Sequence, residues 1–183
     1  MFKKTLLATA TTAALLGPVA AFAAGDMGQG TITFTGSVTE APCSVAAADT
    51  NMAIELGQIS KKTLTGAGKF GTAVPIDIHL TGCSFAAPTA GATTIPLSKI
   101  TVSFPGQTSA TGTIPNAGNA TNVAIQMLNS DNTVLNFTSG STVTEMHDGD
   151  GTLNMFARIA STSATAPAAG SVTAKVTYML NYK

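Results

Sequence analysis

The chain has 183 residues, of which 44% are hydrophobic and 10% are charged, and its nine basic and nine acidic side chains balance to a formal net charge of zero. The length fits a single domain. The charged residues form no basic cluster, which argues against nucleic acid as a partner.

The first 23 residues have the pattern of a secretory signal peptide. A positive start is followed by an apolar stretch at residues 6–20, and Ala21 and Ala23 occupy the positions that signal peptidase reads. The stretch is shorter than the roughly 20 residues needed to span a bilayer, which disfavours a membrane anchor. We expect cleavage before Ala24, which leaves an exported chain of 160 residues with 7 basic and 9 acidic side chains.

Residues 28–38 alternate strictly between two faces. Gly28, Gly30, Ile32 and Phe34 share one face, and threonines dominate the other. A period of two predicts a strand with one apolar side. Because the strand begins with glycines, we expect this end of the exported chain to be loose when it is alone.

Further strands are predicted where short apolar and β-branched runs lie between turn residues. We place them at residues 52–59, 74–80, 99–104, 123–128, 133–137, 153–159 and 172–182. The sequence Asn-Ser-Asp-Asn at residues 129–132 predicts a hairpin turn. The remaining segments read as loops without a sustained helical period. Many short strands joined by turns predict an all-β fold, a β-sandwich.

The last predicted strand ends the chain. One of its faces carries Gly170, Val172, Ala174, Val176, Tyr178, Leu180 and Tyr182. With only one residue after it, no later segment can pair beside this strand. A sandwich that lacked such a strand would expose an apolar groove and unpaired backbone groups, which is an aggregation hazard unless something fills it. The first strand of another copy is suited to that role.

Cys43 and Cys83 both lie in the exported part, and an oxidising compartment predicts a disulfide between them. A metal site is the weaker alternative, because only His79 and His147 could assist. Residues 145–151 superficially resemble a calcium loop but offer too few oxygen ligands at the required spacing. We therefore expect a solvated turn there, with no metal, no cofactor and no catalytic constellation.

Several segments in combination resemble the pilins of the chaperone–usher pathway, with the type 1 fimbrial major subunits as the nearest group. Residues 30–38 precede Ala-Pro-Cys43, residues 54–59 follow, and residues 75–80 lead to Cys83. Phe-Ala-Arg at residues 156–158 precedes the last loop, and Gly170 and Tyr182 fit the C-terminal motif of the family.

The resemblance implies an incomplete immunoglobulin-like sandwich that lacks its seventh strand and is completed by a donor strand from another subunit. It divides the chain into a signal peptide (1–23), a donor-strand extension (24–38) and a pilin domain (39–183). Gly28, Gly30, Ile32 and Phe34 become the donor residues. The apolar face of the C-terminal strand becomes the surface that a chaperone binds.

The resemblance also implies partners and a location. These are other copies of the chain in a head-to-tail homopolymer, a periplasmic chaperone and an outer-membrane usher. The subunit would pass through the periplasm into a fimbrium on the bacterial surface that supports cell adhesion. It would not be an enzyme. A minor adaptor subunit is the alternative, whereas a sugar-binding tip adhesin would need a second domain for which there is no room.

Overall fold

The structure is a computed structural model that describes residues 30–87, 90–91, 93 and 95–183. The chain divides into two units, Met1–Val38 and Thr39–Lys183, which are described separately. The predicted signal peptide and the predicted donor residue Gly28 lie outside the described residues. The described part contains no helix that is long and apolar enough to cross a membrane.

The unit Thr39–Lys183 is a β-sandwich of two sheets. Its described elements are β1 (Ser44–Val45), a 3₁₀ helix (Ala47–Asp49), β2 (Val74–Cys83), β3 (Lys99–Ser103), β4 (Thr113–Pro115), β5 (Val123–Leu128), β6 (Thr144–Glu145), β7 (Gly149–Ser161) and β8 (Met179–Tyr182). The first sheet has the order β1-β2-β7-β5-β4, and the second has the order β6-β3-β8. All the described strand pairs are antiparallel.

The core lies between the two sheets because each central strand presents alternate residues inward. In β2, Ile76, Ile78 and Leu80 are buried, while the residues between them are exposed. Strands β3, β5 and β7 contribute buried residues to the same apolar cluster. The predicted all-β sandwich is therefore confirmed, with the alternation of the sequence determining which side chains form the core.

A disulfide joins Cys43 to Cys83. Both cysteines are buried, and Cys83 is the last residue of β2, opposite Gly149 of β7. The bridge therefore fixes the start of the sandwich to the end of one of its central strands.

Four of the predicted strands are confirmed as β2, β3, β5 and β7, and the turn at residues 129–132 is present, with Asn132 donating to the Asn129 carbonyl oxygen. The strand predicted at 133–137 is wrong. Only isolated bridges occur there: the Leu135 N–H donates to the Met127 carbonyl oxygen, but the Met127 N–H donates to the Gly112 carbonyl oxygen, so the reciprocal bond of a ladder is not made. The short strands β1, β4 and β6 were not predicted, since two or three residues carry no readable period.

The remaining differences concern segments without a pairing partner. Residues 30–38 and 52–59 form no strand, and only Met179–Tyr182 of the predicted strand 172–182 is in a ladder. A strand needs a neighbour to supply its hydrogen bonds. These three segments retain the alternation but lack that neighbour.

We predict that replacing both cysteines with alanine destabilises the domain by about 4 kcal/mol, as expected for closing a loop of this length. The bridge spans a sequence separation of 40 residues. Urea unfolding of the double variant measures the loss, and wild-type protein with reducing agent is the control. Equal stability of oxidised and reduced protein would contradict a stabilising role for the bridge.

Candidate functional site

The segment of residues 30–38 presents two large apolar side chains to solvent. Ile32 is 77% exposed and Phe34 is 89% exposed. A Cβ added at Gly30 would meet no atom within 4 Å, so packing within the isolated chain does not require a glycine at this position. Both side chains lie on the face that the sequence predicts to be apolar, and the described part of the chain leaves both uncovered.

The C-terminal segment, residues 170–183, shows the predicted alternation. Val172, Val176, Tyr178, Leu180 and Tyr182 pack against the core, while Ala174 on the same face is exposed. Only the end of this segment is in a ladder, where β8 pairs with β3 from Ile100↔Tyr182 to Ser103↔Met179. Near its start, the carbonyl oxygens of Ser171 and Thr173 accept backbone hydrogen bonds from Ala120 and Ala117.

A second segment, residues 51–59, runs opposite the first, and we call it the wall segment. Met52 and Leu56 pack against the core, and Ile54 is 36% exposed. Its backbone makes no hydrogen bond to the backbone of any other described residue, and the same holds for residues 174–178. Each segment therefore presents an unpaired edge.

A groove lies between the wall segment and the C-terminal segment. One part of it, of about 250 Å³, has a floor of core side chains and is bordered by Met52, Ile54, Leu56, Ala174 and Val176. The floor is formed by Ile76, Ile78, Phe104, Ile114, Ile125, Met127, Met155 and Ala157. A second part, of about 760 Å³, continues between residues 52–59 and 170–174.

The groove has the properties of an empty strand position. Its floor is apolar and belongs to the main core, so filling it removes apolar surface from water. Its two edges carry unpaired backbone groups that an extended peptide can satisfy on both sides. The chemistry available here is strand addition, with pockets for alternate apolar side chains.

Hydrogen bonds hold the two sides of the groove together at one end. The Tyr178 hydroxyl donates to the Asp49 carbonyl oxygen (2.9 Å). The Asp49 carboxylate accepts from the backbone N–H of His79 (2.7 Å) and lies 2.8 Å from Nδ1 of the same residue. We call Asp49, His79 and Tyr178 the clasp. It ties the C-terminal segment, the 3₁₀ helix that precedes the wall segment, and β2 to one another.

The clasp and its surroundings shift three pKa values. The backbone N–H of His79 holds the pKa of Asp49 below its ordinary 3.8, burial opposes this, and the imidazole adds a hydrogen bond and a favourable charge interaction. Burial raises the pKa of Tyr178, and the Asp49 charge adds to the effect. Burial, followed by the influence of Tyr178, raises the pKa of Tyr182. The Tyr178 hydroxyl therefore acts as an uncharged donor to the Asp49 carbonyl oxygen.

Gly170 lies where two backbones approach closely. A Cβ at this position would lie 2.5 Å from the Ala120 nitrogen and 2.7 Å from the Asn119 carbonyl carbon. Only glycine fits without a shift of the backbone, because neither neighbouring atom belongs to a flexible side chain. The start of the C-terminal segment is thereby held against residues 119–120.

The acidic turn at residues 145–151 supports the fold. Asp148 accepts from the backbone N–H of Phe85 (2.8 Å), and Asp150 accepts from that of Gly82 (3.0 Å). Among the described residues, no group of three or more His, Cys, Asp or Glu side chains is placed to hold a metal ion. The two carboxylates anchor the end of β2 and the loop that follows it.

The sequence predicted the apolar face of residues 28–34 and that of the C-terminal segment. It did not predict that residues 51–59 form the opposite wall of the groove. The structure brings the C-terminal segment together with the wall segment, which the sequence identified only as a strand. The alternation of Met52, Ile54 and Leu56 was the available signal for that wall. Asp49 was missed entirely, since a single carboxylate after a cysteine has no distinguishing pattern.

We predict that Tyr178→Phe destabilises the domain by about 0.5–1.5 kcal/mol, the range for one neutral hydrogen bond. Tyr182→Phe is the matched control, because the buried Tyr182 hydroxyl has no hydrogen-bond partner among the described residues. Urea unfolding of both variants measures the contrast. If the two variants lose equal stability, the Tyr178–Asp49 bond makes no specific contribution.

We predict an acid-dependent loss of stability from Asp49. Its folded-state pKa is lowered, so its contribution is complete above pH 3.8 and is lost as the pH falls through the lowered value. Urea unfolding from about pH 2 to pH 6 measures it. Asp131, whose pKa is lowered by hydrogen bonds from Thr133, titrates in the same range. The difference between wild type and Asp49→Asn isolates Asp49, and a difference that does not change with pH would contradict the assignment.

Comparisons with known proteins agree on one family. The sequence profile described as fimbrial protein matches residues 32–183. A fimbrial-like protein of Escherichia coli, YbgD, is 35% identical over 100% of both chains. The major fimbrial subunit SMF-1 of Stenotrophomonas maltophilia is also 35% identical, over 87% of this chain and 95% of its own.

The type 1 resemblance and the fold are also supported. The A chain of the type-1 fimbrial protein of Escherichia coli is 30% identical over 98% of both chains. A chain from a solved structure of a chaperone–usher pilus is 28% identical with a TM-score of 0.70, and the match covers 86% of this chain and 97% of that one. The protein belongs to the fimbrial protein family and is a structural pilus subunit with an immunoglobulin-like fold, not an enzyme.

Proposed function

We propose that this subunit polymerises by donor-strand exchange, in which residues 24–38 of one copy fill the groove of another. The observation that carries the proposal is the groove itself, an apolar strand position whose two edges pair with no other described backbone. The alternating segment with Ile32 and Phe34 exposed is a matching occupant within the same chain. Residues 24–38 therefore form the donor segment.

Each part of the donor segment has a physical role in this proposal. Ile32 and Phe34 face the groove floor, and each contributes roughly 1.5–3 kcal/mol if fully buried. Main-chain pairing along both edges adds affinity that is independent of side chains. Gly30 allows close approach to the floor, and Gly28 continues the same face.

The proposal requires a temporary occupant of the groove. Before assembly, the unpaired edges and apolar floor would aggregate, so a periplasmic chaperone lends a strand beside the C-terminal segment. Strand addition of this kind is known for chaperone–pilin complexes. The face it contacts is that of Gly170, Val172, Ala174, Val176, Tyr178, Leu180 and Tyr182. An outer-membrane usher then exchanges the chaperone strand for the donor segment of the next subunit.

Donor-strand exchange between identical copies is a heterologous contact, because the donor segment and the groove are different surfaces. Such contacts form filaments when they do not close on themselves. We propose that the protein is the repeating subunit of an extracellular fimbrium that supports cell adhesion. The proposal takes the repeating subunit because relatives include a protein named as a major fimbrial subunit and a type-1 A chain, and a minor adaptor of the same type of pilus is the alternative. Electron microscopy separates the two, since a rod fits the repeating subunit and a thin tip fibre fits the adaptor.

The decisive experiment mixes chaperone-capped subunit with peptides that copy residues 24–38 and follows chaperone release. We expect Ile32→Asp or Phe34→Asp to slow or weaken insertion about tenfold to a hundredfold, because a carboxylate enters an apolar floor without a partner. Thr33→Asp is the matched control and should have a far smaller effect, since residue 33 lies on the opposite face. Gly30→Trp should also block insertion by overfilling a close contact. Equal rates for positions 32, 33 and 34 would refute insertion through the alternating face.

A further inference from the structure

Most charges of the domain lie towards one end or the other of β7; the exceptions include Asp77, opposite Asn154, and Glu55, beside Leu56 in the groove. Residues 56–76 contain three lysines and no acidic residue, and residues 151–183 contain no acidic residue at all. The carboxylates nearest the disulfide lie at the opposite end of the same sheet. This polarity has no role in the core, so it is available for contacts with another molecule.

One end of the domain is basic. Lys61 borders a pocket with Ile159 and Gly170, and the Lys69 carbonyl oxygen accepts from the backbone N–H of Ser161 at the end of β7. Lys61, Lys62 and Lys69 are all exposed. Together with Arg158 they form what we call the basic pole.

Arg158 is held rigidly at this pole. Its guanidinium lies 3.4 Å from the ring centroid of Phe70, and it donates two hydrogen bonds to the side-chain oxygen of Gln126 (3.0 and 2.8 Å). No described carboxylate pairs with it. Phe70 is 50% exposed beside it, so the pole presents fixed positive charge next to an apolar ring.

The other end of the domain is acidic. Glu40, Asp148 and Asp150 are exposed near the disulfide, where Cys83 of β2 pairs with Gly149 of β7. We call these three residues the acidic pole. The nearby Lys99 and Glu145 form an ion pair across 3.4 Å, so their charges offset each other. The two ends of β7, Gly149 and Ser161, are roughly 40 Å apart, and Asp150 and Arg158 on this strand are roughly 26 Å apart.

The basic pole is continuous with the groove. The groove residues Leu56, Gln58 and Ile59 also border a pocket formed with Phe70, Gly71 and Ile159. The C-terminal segment starts at this end, near Gly170, and finishes at the other, where the Lys183 backbone pairs with Lys99. A strand in the groove therefore has one end at the basic pole.

We infer that in the fibre the acidic pole of each copy docks on the basic pole of the copy whose groove its donor segment fills. This inference rests on donor-strand exchange as proposed above. The donor segment ends at residue 38, and Glu40 and Cys43 of its own domain follow directly. The acidic pole of the donor subunit therefore lies at the end of the groove through which the donor segment exits.

The charges distinguish the two possible directions of the inserted strand. A donor segment antiparallel to the C-terminal segment leaves the groove at the basic pole, and opposite charges meet. A parallel donor segment leaves at the Tyr182 end, and two acidic poles face each other. Like charges in contact disfavour the parallel arrangement. The poles thus fix the polarity of insertion and attract successive subunits before the strand is exchanged.

The test compares two reactions of the same chaperone-capped full-length subunit. Peptides that copy residues 24–38 probe the groove alone, because they lack the acidic pole of the donor domain. Subunit-to-subunit assembly, followed by light scattering, probes the groove and the poles together. The variant is Lys61→Glu with Lys69→Glu, and the control is Lys61→Arg with Lys69→Arg, which keeps both charges.

We expect the glutamate variant to assemble about tenfold more slowly than wild type at low salt. Raising the salt from about 0.05 M to 0.5 M should slow assembly of the wild type, because it screens the attraction between the poles, and should not slow the glutamate variant. Peptide insertion should be the same in all three proteins, and the arginine control should assemble like wild type. Assembly of the glutamate variant at the wild-type rate, or an equally slow arginine control, would overturn pole docking. Failure of the peptide to enter the wild-type groove would instead overturn donor-strand exchange.

Discussion

The structure depends on an apolar strand position that the domain does not fill from its own sandwich. The groove floor is made by the same side chains that join the two sheets, so the core and the binding site are one cluster. Any segment that enters the groove completes the core as well as forming an interface. Binding and folding stability are therefore coupled, because an occupant stabilises the domain by mass action.

The rest of the domain keeps the empty position open and correctly shaped. Gly170 holds the start of the C-terminal segment against residues 119–120, and β8 holds its end against β3. The clasp then connects the middle of that segment to β2 through Tyr178 and Asp49. The wall segment has fewer restraints, since its backbone bonds to no other described backbone. The C-terminal segment is therefore the more firmly held side of the groove.

The sequence was informative wherever a single element carries its own period. The buried alternation of Ile76, Ile78 and Leu80 predicted β2, and the alternating C-terminal face was predicted residue by residue. Pairing was less accessible, because a strand is defined by its neighbour. Residues 52–59 have the pattern of a strand and are not one in the isolated subunit. The clasp could not be foreseen, as it joins Asp49 to residues 30 and 129 positions away.

The position of the disulfide has a mechanical consequence. Tension applied along residues 30–38 enters the folded domain at Cys43, which is bonded covalently to Cys83 at the end of β2. Strand β2 runs antiparallel to β7 in the longest described ladder. A pull on the extension thus loads many backbone hydrogen bonds together in shear and does not peel the short strand β1 from the sheet. A fibre built from such domains would resist stretching at each link through a covalent bond backed by its strongest sheet.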